Sequence, residues 1–92
     1  MNLSLIYREI KEKIDMVDFS SLWNGFHPIK FALYNENKCI FDGRYIEKTE
    51  KFLANTSIEY HGEHIAIWNI NEEPEDMDSL TASIIHEMFH AF

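Results

Sequence analysis

The stretch TSIEYHGEHIAIWNI, residues 56–70, constrains the fold more than any other. Apolar and polar residues alternate on both sides of a glycine, the period of a half-buried strand. With Gly62-Glu63 as a two-residue turn, Tyr60 faces Ile65 and Ile58 faces Ile67. Glu59, His61, His64 and Trp68 then share the other side. Glycine in the first turn position suits a type II′ hairpin, whose twist matches that of the strands. A lone hairpin is marginal in water, so this one needs further strands and a covering layer.

The upstream chain supplies both. In IKFALYNENKCIFDG, apolar runs flank NENK, which is turn chemistry, and predict a hairpin of Ile29–Tyr34 with Lys38–Phe41. Asp42-Gly43 marks another turn, and RYIEKTEKFLAN fits either a helical turn or an exposed connection. Leu3, Ile6, Ile10, Ile14 and Val17 recur at three- and four-residue spacing, with Arg8, Glu9, Lys11, Glu12, Lys13 and Asp15 opposite. That is an amphipathic helix. SSLWNGFHP breaks it as a loop. From Met77 the pattern is helical again, with Asp76, Asp78 or Ser79 as N-cap candidates. The expected class is α+β: a helix, a small antiparallel meander of about four strands, then a helix, in one domain spanning residues 1–92.

Charge and composition exclude several roles. The net charge of −8 and the lack of a Lys/Arg patch argue against nucleic acid and against anionic lipid. No run approaches the roughly 18 apolar residues of a membrane span. Charges among the first residues, MNLSLIYREIKEK, are unlike a signal peptide, so a cytoplasmic setting is expected. Cys39 is the single cysteine, in an apolar run, and reads as a small buried hydrophobe rather than a nucleophile.

The last helix carries the chemistry. Ser79, Ser83, His86, Glu87 and His90 fall within a sector of about 100° on a helical wheel. Most of the remaining circumference is apolar, which predicts a buried helix with one polar groove. Histidines at i and i+4 project side by side and can converge on one tetrahedral cation. Glu87 is rotated off that line, poorly aimed as a ligand but placed to take a proton from water activated by the ion. Two core histidines bonded to backbone carbonyls are the competing reading.

SIIHEMFHAF, with its His-Glu-x-x-His spacing, resembles the active-site helix of the zincins, zinc-dependent metallopeptidases. The resemblance implies Zn²⁺ held by His86 and His90, Glu87 as general base, and a peptide or protein substrate. It also implies a twisted sheet ahead of the helix, with an edge strand along the substrate cleft. HIAIWNI is the strand assigned to that edge. A catalytic zinc takes three protein ligands and keeps one position open. Zincins take the third from beyond this helix, so the 92 residues are expected to be the N-terminal part of a longer peptidase domain, inactive alone.

Other candidate donors are weaker. His61 and His64 flank a turn, Glu72, Glu73, Glu75, Asp76 and Asp78 form an acidic connection, and His27 precedes a proline in a loop. The alternative function is a non-enzymatic α+β interaction module with structural histidines, self-associating through its apolar C-terminal helix.

Overall fold

The structure, a computed structural model, describes residues 2–19 and 29–91; the loop reading of SSLWNGFHP and the candidate His27 lie outside them. Helix α1 spans Leu3–Asp15. Strands β1 (Phe31–Tyr34), β2 (Cys39–Phe41), β3 (Arg44–Ile46), β4 (Thr56–Tyr60) and β5 (Glu63–Asn69) follow, and helix α2 spans Met77–Ala91. The class is α+β, as the periodicities predict. The sheet differs from the expected four-stranded antiparallel meander. It has five strands in the order β3-β2-β1-β5-β4, and β1 pairs with β5 in parallel.

The reason lies in which strands are apolar on both faces. Phe31, Ala32, Leu33 and Tyr34 are all buried, as are Ile65, Ala66 and Ile67. Consecutive buried residues need cover on both sides of the sheet, which only interior strands receive. So β1 and β5 meet in the middle, with Phe31 opposite Ala66 and Leu33 opposite Trp68. The chain reaches this arrangement through two hairpins on one side, then residues 47–55, then β4 at the far edge. The segment left open as helical turn or connection therefore begins with strand β3.

Both hairpin turns at the edges have two residues with positive φ: Asp42 and Gly43 at 51° and 83°, His61 and Gly62 at 49° and 84°. That is the type I′ pattern, which follows strand twist. The turn of the last hairpin is thus His61-Gly62 rather than Gly62-Glu63, and Ile58 pairs with Ile65 rather than Ile67. The register moves by two residues, so Ile58, Tyr60, Ile65 and Ile67 still share one face. A slip of one would have exchanged the faces.

Helices α1 and α2 cover one face of the sheet. Leu3, Ile6, Tyr7, Ile10 and Ile14 of α1 join Phe31, Leu33, Ile40, Ala66, Ile84 and Met88 in one core. Tyr7 stacks on Phe31 with ring centroids 4.5 Å apart. The other face carries Ala32, Tyr34, Cys39, Ile65 and Ile67 under Phe52 of the 47–55 segment. Cys39 is a buried free thiol there, as expected of a small hydrophobe. Each of these large side chains contributes on the order of 1.5–3 kcal/mol by leaving water. Among the described residues, no helix is long and apolar enough to cross a membrane.

Candidate metal centre

Helix α2 is started by Asp76, which settles the choice among three N-cap candidates. Its Oδ1 accepts from the backbone N–H of Asp78 (3.0 Å) and Ser79 (3.1 Å), and its Oδ2 accepts from the Ser79 hydroxyl at 2.9 Å. Those bonds favour the carboxylate and hold its pKa below the usual aspartate value, the Ser79 backbone N–H acting most strongly. Of the acidic connection, Asp76 caps the helix and Asp78 lies in its first turn. Asp78 pairs with Lys13 of α1 at 2.8 Å.

The sequence predicts a helix enclosed on most sides, and the structure corrects this. Only Thr81, Ile84 and Met88 of α2 are buried, and that stripe rests on the sheet over β5 and β4. Leu80, Ile85 and Phe89 are half-buried, and Ala82 is exposed. A helix on the outer face of a two-layer packing is closed on one side only, whatever its composition. Thr81 satisfies its hydroxyl by donating to the Met77 carbonyl at 2.7 Å.

His86 and His90 stand opposite the buried stripe, both exposed to solvent. Their rings are one helical turn apart, with centroids 4.6 Å apart and planes at 61°. The Nε2 atoms approach to 3.0 Å. Neither ring is tied to a backbone carbonyl among the described residues. Ligand atoms about 2.0–2.1 Å from a tetrahedral ion lie about 3.3 Å apart, so little movement separates this geometry from chelation. Without metal, the same separation suits an N–H···N hydrogen bond between two tautomerically complementary rings.

Glu87 is half-buried on one flank of α2. Asp78 marks the other flank, because its partner Lys13 belongs to α1. On a helical wheel Asp78, Ile85 and Phe89 lie within about 40° of one another, and Glu87 lies across from them with Leu80 and Ala91. Glu87 therefore faces away from α1, toward the β4 side of the sheet on which α2 packs.

The expected edge strand is another correction. HIAIWNI forms β5, which is paired on both sides, by β1 and by β4, and has no free edge. The free edge beside α2 belongs to β4, Thr56–Tyr60.

The remaining donors do not assemble around the histidines. Among the described residues, no group of three or more His, Cys, Asp or Glu side chains is placed to hold a metal ion. His61 occupies the hairpin turn and stacks on Tyr60 at 4.1 Å, and His64 pairs across the strands with Glu59. Two imidazoles fit two positions of a zinc site, one short of the three protein ligands of a catalytic zinc. No family model matches the chain, and no curated protein or solved structure matches it either.

Proposed function

We propose that α2 is the metal-binding helix of a zinc-dependent peptidase, with His86 and His90 as ligands and Glu87 as general base. The observation that carries this reading is the 3.0 Å approach of the two Nε2 atoms on the solvent-facing side of the helix. Zinc, when bound, supplies Lewis acidity that polarises a peptide carbonyl and acidifies water. Glu87 accepts the proton from the attacking water and returns it to the leaving amine. The free edge of β4 lies on the same side as Glu87, where an extended peptide can add as a further strand. The third ligand comes from outside the described residues, and the setting is cytoplasmic.

The test pairs zinc content with hydrolysis of a fluorogenic peptide library by the zinc-loaded full-length enzyme, in which the third ligand accompanies these 92 residues. Glu87→Gln should keep zinc and lose turnover. Equal hydrolysis by both proteins, or zinc lost along with activity, would overturn the assignment of Glu87.

A second reading draws on the lack of a third donor among the described residues: a non-enzymatic α+β module whose histidines are structural and whose α2 packs against a second copy. A thermal midpoint unmoved by zinc or chelator would favour it.

A further inference from the structure

Met88 lines a cleft with Ile29, Lys30 and Phe31, which places the second half of α2 at the start of β1. The opposite end of the sheet, where the parallel strands β1 and β5 finish, holds a cavity of about 600 Å³. The chain leaving β1 turns into the β2 hairpin, while the chain leaving β5 departs toward α2. Divergence of this kind after two adjacent parallel strands opens a crevice at their carboxyl ends, the position at which open α/β sheets hold their ligands.

The lining is distinctive. Asn35, Asn37, Asn69 and Asn71 contribute carboxamides, and Tyr34, Phe52 and Leu53 contribute the apolar part. The charged residues are Lys48 and Glu36, one of each sign. Lys48 is already committed: its Nζ donates to the carbonyls of Asn35 (2.6 Å) and Glu36 (2.9 Å). The walls are braced in the same way. Asn35 Oδ1 accepts from the N–H groups of Asn37 (2.9 Å) and Lys38 (2.8 Å), and the Asn69 N–H donates to Asn55 Oδ1 at 2.7 Å. The Asn37 carboxamide bonds nothing among the described residues, and Asn71 Nδ2 donates to Asn69 Oδ1. Leu53 stands 84% exposed at the rim.

We infer that this cavity binds a small neutral ligand rich in hydroxyl groups, a sugar. A carboxamide both donates and accepts, as a hydroxyl does, so the unbonded Asn37 carboxamide, with the remaining Nδ2 of Asn35 and Oδ1 of Asn71, matches vicinal hydroxyls without selecting for charge. Lys48 is spent on two backbone carbonyls and the Glu36 carboxylate repels anions, so a phosphate or a carboxylate finds no purchase. The exposed Leu53 offers an apolar contact to the C–H groups of a pyranose. The volume lies within the range of small-molecule sites.

The experiment uses ¹⁵N-labelled protein with chelator present, titrated separately with glucose, galactose, mannose and N-acetylglucosamine. At least one sugar should shift the side-chain amide resonances of Asn35, Asn37, Asn69 and Asn71 saturably. Asn37→Ala and Leu53→Ser, both at exposed positions, should retain a folded spectrum and weaken that binding by about tenfold. Repeating the titration with zinc should give the same affinity, so the outcome does not depend on the metal site. The proposal is overturned if none of the sugars moves these amides, if the shifts scatter over the surface, or if only N-acetylglycinamide binds there.

Discussion

His86 Nε2 and His90 Nε2 lie 3.0 Å apart on the solvent side of α2, a separation that either one shared proton or one shared cation satisfies. The pair is held by helix geometry alone, since α2 is anchored through its opposite face. Both histidines can therefore be substituted without disturbing the core.

Calorimetric titration of the 92-residue chain should show zinc binding that is weak, because only two ligands converge, and that vanishes in both His86→Ala and His90→Ala. Binding at nanomolar affinity would mean that a third ligand is already present within the chain.

Stability should report which face of α2 is structural. Ile84 and Met88 are 1% and 0% exposed, so Ile84→Ala and Met88→Ala should each cost about 2–5 kcal/mol in urea unfolding. The exposed His86→Ala should change metal-free stability by no more than about 0.5 kcal/mol. Reversed magnitudes would mean the helix is rotated.

Gly62 provides a test of backbone strain without packing. Its φ is +84°, and a Cβ there would meet nothing within 4 Å. Gly62→Ala should destabilise by about 1–2 kcal/mol purely through the left-handed conformation. A neutral result would argue against the type I′ turn.

Acid should weaken the start of α2. The depressed pKa of Asp76 means its contribution is complete above the ordinary aspartate value, near 3.9, and is lost as pH falls through the lower folded value. Asp76→Ala should lower the thermal midpoint at neutral pH and flatten its fall in that acid window. Asp76→Ser, which still caps, should retain more of the neutral-pH stability.

Alkali should act on the buried acids of the sheet layers, Cys39 and Tyr7 together with Tyr34, whose pKa burial also raises. Burial pushes Cys39 from 9.0 to about 11, and burial, reinforced by Asp42 and Asp15, pushes Tyr7 from 10.0 to about 12. Both favour the neutral form when folded, so their contribution is full below the unfolded values and declines between roughly pH 9 and 12. Cys39→Ser with Tyr7→Phe should remove most of that decline. Cys39 should also resist iodoacetamide at pH 8 in the native protein and react after unfolding.

Several features were legible because they repeat over short distances. The apolar spacing from Leu3 to Ile14 fixed α1 and its buried face, and the alternation around Gly62 fixed which side of β4 and β5 is apolar. The turn itself was placed one residue late, because the preference for glycine at the first position outweighed the tolerance of histidine for positive φ at His61. FALY and IAI, whose adjacent apolar residues lack a solvent face, mark interior strands, whereas a one-sided antiparallel meander calls for strict alternation.

The sequence by itself determined the elements, the faces of the strands and the histidine pair on successive turns, because backbone periodicity links residues two to four apart. Tertiary structure decided that β5 is interior, that β4 takes the free edge, that α2 lies exposed along its histidine face, and that a crevice opens beyond β1 and β5. Those outcomes depend on which surfaces meet across tens of residues, where the free energy of burying one face against another outweighs any local preference.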